Sequence, residues 1–188
     1  MKFCSACGAT VSHKTPDGDH LPRYVCDQCD TIHYQNPRII AGCIAEWQDK
    51  ILLCRRAIEP RHGLWTLPAG FMENHETTLE GALREAREEA QAQLSNTRFF
   101  CLFNVPHISQ VYMLYRGELH QGYASPGIES LETALFTESE IPWDQLAFPV
   151  IRETLKLYYA DKAAGKFISH TGDLLRDNTL QFTVNLQR

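Results

Sequence analysis

Residues 70–92 read Gly70-Phe71-Met72-Glu73-Asn74-His75-Glu76 and then TTLEGALREAREEAQA, ending at Ala92. Five residues separate Gly70 from Glu76, and seven separate Glu76 from the run Arg84-Glu85-Ala86-Arg87-Glu88-Glu89. Leu79, Ala82, Leu83 and Ala86 recur at helical spacing, which predicts a helix from residue 77 to about 93 with these four on its buried stripe. Thr77 or Thr78 can cap its N-terminus, and Glu80 falls in the first turn. On such a helix residues three and four apart share a face, so the carboxylates of Glu85, Glu88 and Glu89 converge. Three like charges that close repel unless a cation sits among them. Mg²⁺ takes oxygen ligands and favours phosphate substrates, and so is the natural candidate. A solvated face of Glu–Arg pairs would account equally well for an isolated Glu-Ala-Arg-Glu-Glu segment. The context argues against that: a strand, Pro68-Ala69-Gly70, a loop holding Glu76, and only then the helix.

Upstream, Ile39 to Trp47 and Lys50 to Arg56 read as the two strands of a hairpin turning at Gln48-Asp49. Ala57 to Gly63 is loop, and Trp65-Thr66-Leu67 is a short strand, with Trp65 expected in the core rather than under an adenine ring. Downstream, strands are predicted near Thr97–Asn104, Gln110–Glu118 and Thr133–Phe136. Pro142 to Tyr159 is predicted to be largely helical, with Val150, Ile151, Thr154, Leu155 and Tyr158 on one face. Tyr34-Gln35-Asn36-Pro37 reads as a turn and a boundary. The expected organisation is a metal-bound ribbon over 1–34, a main domain over 35–165 and a C-terminal tail over 166–188.

The ribbon rests on Cys4-x2-Cys7, eighteen intervening residues, and Cys26-x2-Cys29. Two such knuckles offer four soft ligands in a tetrahedron, the preference of Zn²⁺, and four thiolates close the site, making it structural. The segment is too small for a core, so metal binding would supply its folding energy. Disulfides or redox pairs are the competing reading, disfavoured without a secretion signal or a thioredoxin-like unit. His13, His20 and His33 are then ordinary surface histidines, and Cys43, Cys54 and Cys101 are buried small hydrophobes.

The 188 residues are 44% hydrophobic and 22% charged, ordinary values for a globular chain. No apolar run is long enough to span a membrane, and Met1-Lys2-Phe3-Cys4 opens no signal peptide, so the expected location is cytoplasmic. Eighteen basic against 23 acidic residues, a net charge of −5, argue against stable binding of nucleic acid. A small phosphate ligand stays compatible, because bound metal inverts the local charge.

Gly70 through Ala92 is similar to the 23-residue Nudix box, G-x5-E-x7-R-E-U-x-E-E-x-G-U, matching it at Gly70, Glu76, Arg84, Glu85, Glu88 and Glu89. Gln91 stands where the box has its late Gly, which ends the helix in a left-handed cap, so the helix is expected to run further here. The resemblance implies a Nudix α/β/α sandwich with a mixed sheet, preceded by a zinc ribbon. It implies that Glu85, Glu88 and Glu89, with the Gly70 carbonyl, hold Mg²⁺ or Mn²⁺, and that Glu76 and Arg84 pair. A further carboxylate is expected from a late loop, Glu129 in preference to Glu132, and either it or a box carboxylate would activate the attacking water. Arg55, Arg56, Arg61, Phe71 and Tyr112 are candidates for phosphate, ribose or base contacts. A ribbon followed by such a domain resembles two groups. In the NADH pyrophosphatases a Ser-Gln-Pro-Trp-Pro-Phe-Pro stretch follows the box, whereas here Ser109-Gln110 leads into Val111-Tyr112. The ribbon-bearing FAD and ADP-ribose pyrophosphatases are similar over 3–160, including Pro126-Gly127-Ile128-Glu129-Ser130-Leu131-Glu132. That resemblance implies cleavage of FAD or ADP-ribose with release of AMP. NADH or NAD-capped RNA hydrolysis, and a non-catalytic binding module, are the alternatives; a homodimer would be in keeping with the family.

Overall fold

A computed structural model describes residues 1–177 and 181–187. The chain divides into two units, Met1–Pro37 and Arg38–Arg188. In the first, strands β1 (Val11–Lys14), β2 (Arg23–Cys26) and β3 (Ile32–His33) form an antiparallel sheet in that order. Its two cysteine knuckles are one turn used twice. Gly8 N–H donates to the Cys4 carbonyl at 3.0 Å, and Asp30 N–H to the Cys26 carbonyl at 3.1 Å. Both fourth-following residues, Gly8 (φ 78°) and Asp30 (φ 55°), are left-handed, the conformation that Gly, Asn and Asp tolerate best.

The second unit contains β4 (Arg38–Trp47), β5 (Lys50–Arg56), β6 (Trp65–Thr66), β7 (Ala69–Phe71), α1 (Thr78–Ala90), β8 (Leu94–Val105), β9 (Gln110–Leu119), β10 (Ser130–Phe136), α2 (Pro149–Ala163), β11 (His170–Arg176) and β12 (Phe182–Gln187). The strands join one mixed sheet in the order β10-β5-β4-β9-β8-β11-β12, with β6 beside β5 and β7 beside β4. β4–β9 and β8–β11 are parallel, and the other pairs are antiparallel.

The α/β/α layering follows from strand alternation, which sends successive side chains to opposite faces. On β4 and β5, Ile40, Ile44, Ile51 and Leu53 pack in the large core with Val150, Ile151, Leu155 and Tyr158 of α2. Their neighbours Ala41, Cys43, Ala45, Leu52 and Cys54 pack with Ala82, Ala86 and Ala90 of α1. Alanines on both sides let α1 lie close to the sheet, and that closeness places its carboxylates beside β7.

Helix α1 starts where its capping chemistry says it should. The Thr77 hydroxyl accepts from the Glu80 N–H at 3.2 Å, and the Glu80 carboxylate accepts from the Thr77 N–H at 2.7 Å. Its buried stripe is Gly81, Ala82, Glu85, Ala86, Glu89 and Ala90; Leu79 and Leu83 are only half-buried. The helix does not run further for want of a Gly. Gln91 itself takes the left-handed cap (φ 49°, ψ 22°), and its N–H reaches the Ala86 and Arg87 carbonyls.

Two other expectations change. The helix predicted from Pro142 starts at Pro149, because Trp143–Gln145 is a separate short turn and a proline suits the first helical position. The segment 166–188, expected as a tail, carries β11 and β12, with Leu174 in the large core and Asn104 donating to Asp173 at 2.8 Å.

Candidate active site

Arg84 is the hub of the box. Its Nε and Nη2 donate to the two oxygens of Glu76 at 3.0 and 2.8 Å, a bidentate pair. Nη1 donates to Glu85 Oε1 at 2.7 Å and to Glu88 Oε2 at 2.9 Å, and Nη2 also reaches the Phe71 carbonyl at 3.1 Å. One guanidinium therefore ties the loop to the helix and aligns two carboxylates. The Arg84 pairing, helped by the Glu73 N–H, holds the Glu76 carboxyl down at about 2.

The three helix acids separate by one turn's geometry. Glu85 and Glu89, four apart, are buried towards β7, while Glu88 lies on the exposed rim. Glu85 fills the space above Gly70, where a Cβ would come within 2.5 Å of its carboxylate. Glu89 Oε2 accepts from the Ala69 N–H at 3.2 Å. Burial, reinforced by the Glu85 charge, pushes the Glu89 carboxyl up to about 8, and burial also raises Glu85. The turn carrying Glu129 is bonded beside them, Gly127 N–H donating to the Glu89 carbonyl at 2.9 Å and Ala57 N–H to the Glu129 carbonyl at 2.8 Å, and the Glu129 charge adds to the upward shift of both carboxyls. Glu132 lies on exposed β10 surface, 3.6 Å from Arg55.

Two buried carboxyls held above their ordinary range form a site short of positive charge. Glu85, Glu88, Glu89 and the adjacent Gly70 backbone could hold a hard divalent cation with oxygen ligands, so the residues fit Mg²⁺ or Mn²⁺.

The basic candidates part company. Arg55 is spent on structure, its Nε donating to the Gly63 carbonyl at 2.9 Å. Arg56 donates to the Pro60 carbonyl at 2.9 Å and stacks over the Phe148 ring at 5.1 Å. On the sheet Arg56 pairs with Ser130, next to Glu129, and its charge offsets part of the upward shift at Glu89 and at the buried Tyr112 hydroxyl. Phe71 is exposed, with the Arg38 guanidinium over its ring at 4.6 Å. Tyr112 and Trp65 belong to the large core. The Ala69 N–H left no trace in the sequence, because any residue but proline would supply it.

In the ribbon, the Sγ atoms of Cys4, Cys7, Cys26 and Cys29 all lie within 4.8 Å of one another. Cys4–Cys29 is 3.7 Å and Cys7–Cys26 is 3.5 Å. Zinc–sulfur bonds of about 2.3 Å give a tetrahedral edge of roughly 3.8 Å, so these thiols fit structural Zn²⁺. The Thr31 side chain, 3.1 Å from Cys29 Sγ, helps bring that thiol down to about 6. His13 and His20 are exposed, but His33 is not a surface residue: it is buried, with Nε2 3.3 Å from Cys4 Sγ. A ring nitrogen at that distance supports a thiolate as an outer partner.

A metal-ready carboxylate helix capped on a sandwich, with a four-thiol ribbon before it, defines a metal-dependent phosphate-processing enzyme. The chain belongs to the Nudix hydrolases: the NUDIX domain model matches residues 36–157, and the Nudix N-terminal zinc-ribbon model matches residues 2–35. It is similar to a NUDIX hydrolase from Nitrosomonas europaea, at 54% identity and a TM-score of 0.88 over 93% of this chain and 99% of that one. Among curated relatives, it is 32% identical over 172 residues to the NAD-capped RNA hydrolase NudC of Photobacterium profundum, 86% of this chain and 61% of that protein. It is likewise 32% identical over 151 residues to the protein of the same name from Vibrio vulnificus, 76% of this chain and 53% of that protein. The chain thus spans little more than half the length of these relatives. An ADP-ribose pyrophosphatase from Streptococcus suis shares the fold at a TM-score of 0.55 and 23% identity, over 72% of this chain and 98% of that one. The Nudix hydrolases as a family work with Mg²⁺ or Mn²⁺, which the carboxylates of α1 suit.

Proposed function

We propose that this enzyme cuts the pyrophosphate of an adenosine diphosphate derivative, releasing AMP and the monophosphate of the other half. The observation that carries the reading is the seating of Glu85 and Glu89 against β7, with Arg84 bonded to Glu85 and Glu88 and the turn carrying Glu129 bonded to the Glu89 carbonyl. Glu85, Glu88, Glu89 and Gly70 hold the catalytic metal, which when bound neutralises phosphate charge and acidifies water. Arg84 keeps two of those carboxylates aligned and is itself fixed by Glu76. Arg56 meets a phosphate oxygen, with its guanidinium oriented by Phe148 and the Pro60 carbonyl. Glu129, standing on a different element from the helix acids, takes the proton of the attacking water. The four ribbon cysteines hold structural Zn²⁺.

For the other half of the substrate, the relatives' names favour a nicotinamide dinucleotide. With a net charge of −5, the free dinucleotide suits this chain better than a capped RNA. FAD or ADP-ribose is the second reading. It is favoured by one observation: Ser109 and Gln110 close a short turn and open β9, so Val111-Tyr112 continues as strand where the NADH signature would stand. A panel of NADH, FAD, ADP-ribose and a deoxynucleoside triphosphate with Mg²⁺ decides between them. The proposal expects the highest kcat/KM on one of the three adenosine diphosphate derivatives; preference for the triphosphate would overturn it.

A further inference from the structure

Glu129 lies in the segment between β9 and β10, beside the last turn of α1, so its placement depends on how that backbone is held. Ser125 N–H donates to the Ala90 carbonyl and Gly127 N–H to the Glu89 carbonyl, both at 2.9 Å. These are last-turn carbonyls, which have no partner inside α1. The turn Gly127-Ile128-Glu129-Ser130 then closes through Ser130 N–H to the Gly127 carbonyl at 3.1 Å. The Glu129 carbonyl accepts from the Ala57 N–H at 2.8 Å, just past the end of β5. Ile128 is 98% exposed, so burial of the turn's own side chain does not hold it. Backbone seating on α1 and β5 does.

Gly127 is where loop and helix come closest. A Cβ there would lie 1.7 Å from the Glu88 carbonyl oxygen and 2.8 Å from its carbon. The obstacle is helix backbone, which cannot swing aside as a side chain can. Gly127 has no positive φ, so the requirement is the missing Cβ and not a left-handed conformation. Any substituent must lift the turn off α1, and the shift reaches Glu129 two residues later.

We propose that Gly127 is a positioning residue for hydrolysis: its bare Cα lets the turn seat on the last turn of α1, and that seating sets Glu129 against Glu85 and Glu89. The inference rests on the assignment of Glu129 to the hydrolytic site. The test is steady-state kinetics on the full chain at saturating Mg²⁺, using whichever of NADH, FAD and ADP-ribose is cut fastest. Wild type, Gly127→Ala, Glu129→Gln and the double variant are compared. Each single substitution should lower kcat at least about tenfold with KM within about threefold, and the double variant should match Glu129→Gln within about twofold. A merely structural loosening would instead multiply with loss of the carboxylate. Gly127→Ala at wild-type kcat while Glu129→Gln is slow, or multiplicative losses in the double variant, would overturn the inference and leave Glu129 in place. Glu129→Gln at wild-type kcat would overturn the Glu129 assignment itself. Far-UV circular dichroism at the assay temperature accompanies each variant. If Gly127→Ala is unfolded there, the same cycle is run with Ser125→Pro, which deletes the N–H to Ala90 without adding bulk against Glu88. The same non-additive loss is expected of it, and additive loss overturns the proposal.

Discussion

Glu85 and Glu89 stand one helical turn apart, and that spacing alone puts their carboxylates on one face. What the spacing could not reveal is that this face is the buried one, with Glu89 against the Ala69 N–H and Glu88 turned to the rim. The difference gives a graded expectation. Glu89→Gln should lower kcat by at least about a hundredfold, since loss of a metal-clamping carboxylate costs several kcal/mol at ~1.4 kcal/mol per decade. Glu88→Gln, at the exposed rim, should cost less; steady-state kinetics at saturating Mg²⁺ compares them, and the reverse order would contradict the burial argument. Gln91 offers a second case. Its left-handed backbone costs an L-residue roughly 1–2 kcal/mol, so Gln91→Gly should stabilise the protein by about 1 kcal/mol in urea unfolding. An unchanged or lower midpoint would show that the Gln91 side chain, 3.5 Å from the Pro126 carbonyl, compensates for the strain. Gly127 and His33 were not legible as working residues, because their partners at Glu88 and Cys4 lie 39 and 29 residues away in the chain.

At the scale of elements, the strands and helix with full periodic patterns were readable, and those with diluted patterns were not. β4 and β5 carry apolar side chains on both faces, as a sheet covered by helices on both sides requires. In β11 the inward positions are Gly172 and Leu174. A glycine contributes no apolar signal, and Leu175, next to Leu174, faces outward, so the alternation of a core strand is lost in the sequence. Leu174 is nevertheless 1% exposed, and Leu174→Ala should destabilise the protein by about 2–5 kcal/mol. A denaturation midpoint unchanged by that substitution would return the segment to the status of a tail. The start of α2 differs for a different reason: a helix begun at Pro142 would carry Pro149 in its interior, where proline lacks an N–H and clashes with the preceding turn, whereas at the first helical position it fits.

The whole chain combines two units whose stability has different origins. Met1–Pro37 has little core of its own and depends on four thiols; the unit from Arg38 is built around a large apolar cluster. Metal analysis should find zinc in the purified protein, and Cys26→Ser should abolish it and loosen the ribbon while hydrolysis persists in part, because the four cysteines and the box carboxylates belong to separately folded units. The central claim is that the α1 carboxylates drive hydrolysis of the pyrophosphate of an adenosine diphosphate derivative. It is tested most directly by incubating the protein with NADH, FAD and ADP-ribose in Mg²⁺ and resolving the products by chromatography. The account expects AMP together with the partner monophosphate (reduced nicotinamide mononucleotide, FMN or ribose 5-phosphate), formed only with divalent metal and suppressed by Glu89→Gln. No AMP from any of the three, or AMP formed equally well by Glu89→Gln, would contradict it.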